Sequence, residues 1–349
     1  MQTQLVKVNS QDPEPEVIAT AADLLRAGEL VAFPTETVYG LGANALDGDA
    51  LGKIFSAKQR PRSDPIIAHI ADLEQLDKIT TGAPSSAYRL AAAFWPGPLT
   101  LILQRTASMP EAIAEGRSTI AVRMPAHPVA RALLETAHVP VGAPSANIFT
   151  RPSATTADHV MEDLCGRIAM ILDGGPTTIG LESTVLDLTG TKPRVLRPGG
   201  VSLEALRDID PTIEFQPAYV SEQEGSHSPG QMLKHYSPRA RVLLFRGDDR
   251  EAVLRRMEEV ATAEAQAGLR VAALLSDEDA ATLTGLHAVE RLGPVQDLDR
   301  IARRLFAGLR TLDRDDTDLI LLRDPGRKGL GAALWDRMLR AAEGEVITC

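Results

Sequence analysis

Lys58, Arg60 and Arg62 place three cations within five residues, inside the run Lys58-Gln59-Arg60-Pro61-Arg62-Ser63-Asp64-Pro65. Cations held this close repel one another unless an anion neutralises them. Far downstream, Pro144-Ser145-Ala146-Asn147 is followed by Arg151-Pro152-Ser153. Guanidinium forks, an ammonium point charge and small hydroxyl and amide side chains are the groups that hold a polyphosphate. The expected chemistry is the handling of a nucleoside triphosphate without either standard phosphate loop. Gly326-Arg327-Lys328-Gly329-Leu330-Gly331 is glycine-rich and basic, but it lacks the G-K-[ST] ending and reads as a turn before the last helix.

Other chemistries find little support. Gly40-Leu41-Gly42-Ala43-Asn44-Ala45 fits the loose dinucleotide pattern G-x-G-x-x-A, but about twenty residues on the chain enters the cationic run, where an acidic ribose ligand is wanted. Those glycines read better as residues that permit tight turns. Seven histidines offer no H-E-x-x-H and no partner at metal-ligand spacing. His69 ends a strand just beyond the cationic run and can face the same pocket, although an isolated histidine is more often packing or surface. His127 and His138 flank a helix and carry no assigned role. Ser145 and Asn147 alternate after a strand, so both can face one side, although such residues also serve as turns and caps. Thr155-Thr156-Ala157-Asp158 reads as a helix start with a capping box. Ser153 lies in a loop too polar to pack. Arg123 ends the apolar strand Ile120-Ala121-Val122 and needs a partner, which a substrate anion or a protein carboxylate would supply equally. With no nucleophile triad, no G-x-S-x-G and no paired acids, catalysis by positioning and charge neutralisation fits best.

The elements that position these residues follow from periodicity. Residues 16–28 have helical spacing with Gly28 as a stop, and strand Leu30–Phe33 follows. Helix Ala50–Lys58 leads into the cationic run. Strand Ile66–Ile70 and helix Ser85–Phe94 come next, and Trp95-Pro96-Gly97-Pro98 breaks the helix before strand Leu99–Leu103. Strand Ile120–Arg123, helix Pro128–Ala137 and strand Val139–Gly142 precede the strands Ile168–Leu172, Ser183–Leu188 and Val195–Arg197. From Ser202 to Ala240 the pattern loosens, and Ser221–Gly230 has linker composition. Thereafter strands Val242–Phe245, Val271–Leu275 and Leu319–Leu322 alternate with helices Asp249–Ala267, Leu298–Leu312 and Leu330–Ala342. That rhythm predicts a small, mostly parallel α/β domain.

The length of 349 residues allows two cored domains, and only 4% of residues are aromatic, so aliphatic side chains must build the cores. A net charge of −10, with acidic residues in excess on both sides of residue 203, argues against broad electrostatic binding to nucleic acid or to an anionic membrane. Cys165 and Cys349 make no framework. No signal-like start and no long apolar run occurs, so a cytoplasmic protein is expected.

Taken together, the motifs resemble the YrdC-type threonylcarbamoyl-AMP synthases. The residues that carry the resemblance are Pro34-Thr35-Glu36-Thr37-Val38-Tyr39-Gly40-Leu41-Gly42, Lys58-Gln59-Arg60-Pro61, Trp95-Pro96-Gly97-Pro98-Leu99-Thr100, Pro144-Ser145-Ala146-Asn147 and Leu181-Glu182-Ser183-Thr184-Val185. His235-Tyr236-Ser237-Pro238 and the α/β tail resemble the longer, two-domain form. The resemblance implies a twisted open-sheet YrdC-like domain over 1–203, a linker or lid over 204–239 and a smaller Rossmann-like α/β domain over 240–349.

It also implies a nucleotidyltransferase that condenses L-threonine, bicarbonate and ATP to threonylcarbamoyl-AMP and pyrophosphate. The product would feed the tRNA threonylcarbamoyl-transfer machinery that modifies adenosine 37. Lys58, Arg60, Ser145 and Asn147 match the family's tetrad. Residue by residue, Thr37, His69, Arg123, Ala143 and Ser183 would surround L-threonine. Lys58, Arg60, Asp64, Thr119, Ser145, Ser153 and Arg197 would surround ATP, with Tyr236 reaching over it from the linker. Magnesium is expected on the phosphates, with no protein metal site and no organic cofactor. Asp64 departs from the familiar Asn before the proline and adds a negative charge there. The rival readings are an RNA-binding module, opposed by the charge, and a carbamoyl-transfer protein of the hydrogenase-maturation type, whose paired zinc-finger-like cysteines this chain lacks.

Overall fold

The computed structural model describes residues 2–215, 236–314 and 316–349. The chain divides into two compact units. One comprises Met1–Phe149, Ser153–Thr178 and Glu182–Gln231, and the other Thr150–Pro152, Ile179–Leu181 and Met232–Cys349.

The strands of the first unit are β1 (Gln4–Lys7), β2 (Val31–Phe33), β3 (Gly40–Asn44), β4 (Ile67–His69), β5 (Leu99–Gln104), β6 (Thr119–Arg123), β7 (Val141–Gly142), β8 (Met170–Asp173), β9 (Thr184–Asp187), β10 (Arg194–Arg197) and β11 (Glu214–Phe215). They form one open mixed sheet in the order β1-β8-β2-β3-β7-β4-β6-β5-β9-β10-β11. Helices α1 (Pro15–Arg26), α2 (Gly48–Lys58), α3 (Leu73–Ile79), α4 (Ser85–Phe94), α5 (Glu111–Ala114), α6 (Pro128–Ala137), α7 (Ala157–Leu164) and α8 (Leu203–Ile209) connect them. In α1, Ile18, Ala21, Ala22 and Leu25 recur at helical spacing and are buried, and Gly28, at φ 76°, follows the helix end. One core gathers α2 and α4 with Leu41, Ala68, Leu101 and Val122. A second gathers α1 and α6 with Val31, Phe33 and Met170.

Two sequence expectations change here. Gly40 and Gly42 lie within strand β3 rather than in a tight turn. A Cβ at Gly42 would sit 2.8 Å from Phe33 and 2.9 Å from Val141, so close strand packing is what the glycine serves. The stretch after Ser202, expected to be loose, forms α8 and then β11, which pairs parallel with β10. Ser221–Gly230 falls outside the described residues.

The second unit carries β12 (Arg241–Arg246), β13 (Val271–Leu275), β14 (Ala288–Arg291), β15 (Leu319–Arg323) and β16 (Val346–Thr348), with helices α9 (Arg250–Gln266), α10 (Asp277–Ala280), α11 (Leu298–Arg314) and α12 (Gly331–Ala341). Every pairing is parallel, in the order β14-β13-β15-β12-β16. The three central strands carry continuous buried apolar runs (Val242–Phe245, Val271–Leu275 and Leu319–Leu322), as strands covered on both faces require. Val253, Leu254 and Met257 of α9 pack with Leu243, Phe245 and Leu321. On the other face α11 lies so close that a Cβ at Gly308 would fall 2.5 Å from Leu274. This is the small parallel α/β domain the alternating rhythm predicted, in the Rossmann-like form the resemblance implied.

Candidate active site

Strand register builds the site. His69 of β4 lies opposite Arg123 of β6, and Arg123 lies opposite Thr100 of β5. Two residues back, Ile67, Ala121 and Ile102 are aligned in the same way, and two further back Thr119 faces Gln104. Because side chains alternate, these rows share one face of the sheet. The other face of the same strands, with Ala68, Val122 and Leu101, belongs to the large core. The site face thus has a polar row at one end and a small apolar floor of Ile67, Ile102, Ala121 and Val185. Thr119 marks its far end, about 13 Å along β6 from Arg123.

The polar row is tightly bonded. Arg123, 4% exposed, donates from Nη2 to Glu36 Oε1 at 2.6 Å, from Nη1 to Thr37 Oγ1 at 2.9 Å and from Nε to the Gly97 carbonyl at 3.2 Å. Glu36 and Thr37 come from the turn between β2 and β3, where Thr35 Oγ1 lies 2.8 Å from Thr37 Oγ1 and donates to the Val38 carbonyl at 2.6 Å. His69 is buried, with Nδ1 donating to the Ile67 carbonyl at 3.2 Å and Phe33 edge-on to its ring. Burial, and then the charge of Arg123, push its pKa down to about 3, so the imidazole is neutral near pH 7. Ala143 follows β7, and its N–H bonds the same Ile67 carbonyl at 2.9 Å. At the other side, Ser183 Oγ is 2.7 Å from Thr100 Oγ1, and Arg197 Nη2 donates to the Ser183 carbonyl at 3.0 Å.

The cationic run is positioned by the end of α2. Asp47 caps its start, and Gln59 ends it in the left-handed region at φ 54°. Lys58, 1% exposed, donates Nζ to the carbonyls of Ser145 and Asn147. The structure therefore brings Lys58, Ser145 and Asn147 together. Arg60 instead turns into its own loop, with Nη2 at 2.8 Å from Asp64 Oδ2 and donating to the Pro65 carbonyl at 2.8 Å. Arg60 Nε and Asp64 Oδ1 are buried without hydrogen-bond partners. Extending the β4–β6 register by two residues places Pro65 level with Thr119. Ser153 Oγ donates to Glu182 Oε1 at 2.5 Å, one residue before Ser183. Thr156, not Thr155, caps α7. Tyr236 lies in the second unit, 1% exposed, with its ring 5.2 Å from Phe306 and the Arg337 guanidinium 5.4 Å from its centroid.

Three buried residues of the quoted motifs were given no role in the sequence reading: Glu36, Thr100 and Glu182. For Glu36 there was a physical signal as well, since Arg123 at the end of an apolar strand demanded a partner. Among the described residues, no cluster of three or more His, Cys, Asp or Glu is placed to hold a metal ion.

A mixed α/β sheet with a buried polar row at one end of an apolar floor and a lysine-anchored loop nearby defines a YrdC-like domain, here followed by a parallel α/β domain. Residues 23–199 match the Sua5/YciO/YrdC family, described as "Telomere recombination", and residues 201–343 match the C-terminal domain of threonylcarbamoyl-AMP synthase. The chain is 44% identical to the threonylcarbamoyl-AMP synthase of Pyrococcus abyssi over 95% of each chain, and 41% identical to that of Bacillus subtilis over 98% of this chain and 96% of the relative. The crystal structure of P. abyssi Sua5 complexed with L-threonine superposes with a TM-score of 0.93 at 42% identity and full coverage of both chains. The chain belongs to the Sua5/YrdC family of threonylcarbamoyl-AMP synthases, in its two-domain form.

Proposed function

We propose that this protein is a threonylcarbamoyl-AMP synthase, a nucleotidyltransferase that converts L-threonine, bicarbonate and ATP to threonylcarbamoyl-AMP and pyrophosphate. The observation that carries this reading is a single sheet face with Arg123, Thr37 and His69 in a polar row at one end of an apolar floor. Thr119 lies about 13 Å along the strand, on a scale that suits an amino acid joined to a nucleotide.

L-Threonine is assigned to the row formed by Thr37, His69, Arg123, Ala143 and Ser183. The Arg123 guanidinium has N–H groups beyond its three protein bonds and takes the α-carboxylate. Neutral His69 keeps Nε2 as an acceptor and does not repel the substrate ammonium. The ammonium gives a proton to solvent, bicarbonate takes one up and loses water to become CO2, and the amine nitrogen attacks the CO2 carbon, forming the carbamate as a second proton leaves to solvent. A carbamate oxygen then attacks the α-phosphorus, and the bond to pyrophosphate breaks. Lys58, Arg60, Ser145 and Asn147 neutralise and align the phosphates, with Asp64, Thr119, Ser153 and Arg197 around the nucleotide. Magnesium arrives on the ATP phosphates as part of the substrate, because the surrounding groups are cations, amides, hydroxyls and one ion-paired carboxylate. Tyr236 is assigned to the nucleotide as well. The boundaries 1–203, 204–239 and 240–349 are the proposed division into catalytic domain, linker and C-terminal domain.

The product is passed to the tRNA threonylcarbamoyl-transfer machinery, and an acidic chain is suited to handing over a small molecule rather than gripping tRNA. Among the described residues, no helix is long and apolar enough to cross a membrane, and the cytoplasm, where ATP and tRNA are found, is the proposed location. The test is pyrophosphate release with threonine, bicarbonate and MgATP, with mass analysis of the adenylate. Release must stop when any one substrate is omitted. Release that persists without threonine or without bicarbonate sinks the reading.

A further inference from the structure

Glu36 has a geometry that the proposed chemistry does not yet use. It is 7% exposed in the turn between β2 and β3, and its two oxygens serve two different elements. Oε1 accepts from Arg123 Nη2 at 2.6 Å, and Oε2 accepts from the backbone N–H of Ala126 at 3.0 Å. Ala126 lies three residues beyond Arg123, past the end of β6. One carboxylate therefore ties the tip of the arginine side chain to the backbone that leaves the arginine's own strand. Thr37, next in sequence, accepts from Nη1 at 2.9 Å, and the Gly97 carbonyl accepts from Nε at 3.2 Å. Each of the three guanidinium nitrogens is thus pinned, by groups from two separate turns.

A free arginine side chain has four rotatable bonds and loses their rotamer freedom when it is immobilised. An arginine already immobilised by protein contacts meets its ligand without that cost, which is how preorganisation raises affinity. The charge balance points the same way. Glu36 neutralises a guanidinium that would otherwise be an isolated buried cation. The N–H groups left over can still fork onto an incoming carboxylate.

We infer that Glu36 is the positioning residue for the amino-acid site: it aims the Arg123 fork at the substrate carboxylate, and so sets affinity for L-threonine without touching the nucleotide. This rests on the proposed assignment of Arg123 to the amino acid. Removing the carboxylate charge should act on one substrate only, whereas a general loss of structure would act on both.

The experiment compares wild type, Glu36→Gln and Glu36→Asp in the full-length chain. L-Threonine affinity is measured directly by calorimetry, the KM for each substrate by pyrophosphate release, and melting temperature as a control. Glu36→Gln should weaken L-threonine binding and raise its KM at least tenfold, with the KM for ATP changed less than twofold. Glu36→Asp, which keeps the charge on a shorter arm, should fall between. Should Glu36→Gln not fold, a Glu36→Asp variant with wild-type threonine affinity overturns the inference. So does an equal rise in both KM values, or a fall in kcat alone. A wild type that binds threonine but releases no pyrophosphate would fail the synthase reading while leaving the calorimetric test of Glu36 intact.

Discussion

Arg123 and Arg60 are both buried and both paired with a carboxylate, yet the two are held by different means. Arg123 is fixed by Glu36, Thr37 and Gly97, residues 26 to 87 positions away in the chain. Arg60 is fixed by Asp64 and Pro65, four and five residues on, inside one loop. The first arrangement exists only once β2, β4, β5 and β6 are assembled. The second can form locally, leaves Nε unpartnered, and can be rearranged by moving one short segment. A rigid arginine suits a small substrate whose carboxylate must always lie in one place. A loop-borne arginine suits a phosphate chain that must be gathered and, after reaction, released.

The largest expected effect tests the loop end. Lys58→Ala removes a buried ammonium that bonds the Ser145 and Asn147 carbonyls. Losing a charged hydrogen bond typically costs about 1.5–3 kcal/mol, and an orphaned carbonyl adds to that. Pyrophosphate release should fall at least roughly 100-fold, by the tenfold-per-1.4 kcal/mol rule, and the melting temperature should drop as well. A folded Lys58→Ala enzyme with near wild-type rates would remove the phosphate role from this loop.

Next comes the rigid end. Arg123→Lys keeps the charge but cannot bond Glu36, Thr37 and Gly97 at once, because an ammonium lacks the planar fork. The KM for threonine should rise on the order of tenfold, while the KM for ATP stays near wild type. Parallel losses for both substrates would erase the distinction between the two arginines.

How far the sequence revealed this contrast follows from the range of the interactions. The cationic run was visible because its members are neighbours in sequence, as were α4, α6 and β13, whose patterns are local and end where expected. The Glu36–Arg123 pair was not, because it spans 87 residues and depends on strand order. For the same reason β3 was missed: Gly40 and Gly42 have no side chain to show a period of two, and only Phe33 and Val141 packed against them explain why no side chain fits. The short edge strands β11 and β16 are read from their partners rather than from their own few residues. The seat of Tyr236 on Phe306 likewise joins residues 70 apart in sequence, and nothing local announces it.

His69 offers a subtler probe of the rigid end. Its pKa, pushed down to about 3 by burial and by Arg123, lies below the 6.5 of an unfolded chain. The unfolded state therefore takes up the proton first as pH falls. The stability contributed by neutral His69 is complete above about pH 6.5 and is lost progressively toward pH 3, at roughly 1.4 kcal/mol per pH unit at most. Compared with wild type, His69→Gln should show a shallower fall of melting temperature between pH 6.5 and 4. Identical slopes would mean that the imidazole can be protonated without cost, and that the end around Arg123 is less closed than its burial indicates.

The smallest expected effect is also the one that sharpens the comparison most. Asp64 is fully buried and neutralises Arg60, so it competes with any phosphate for the same guanidinium. Glu36 also neutralises an arginine, but its second oxygen is anchored on Ala126, which makes it a support rather than a competitor. Asp64 Oδ1 has no such anchor. Asp64→Asn keeps the shape of the loop and the carbonyl bonds to Arg60 while removing the competing charge. The KM for ATP should therefore fall about threefold, a modest gain because loss of the ion pair also loosens the loop and offsets part of the roughly 1 kcal/mol released. The KM for threonine should not move. A rise in the KM for ATP would show that Asp64 supports Arg60 as Glu36 supports Arg123, and the two arginines would then differ only in how far along the chain their partners lie.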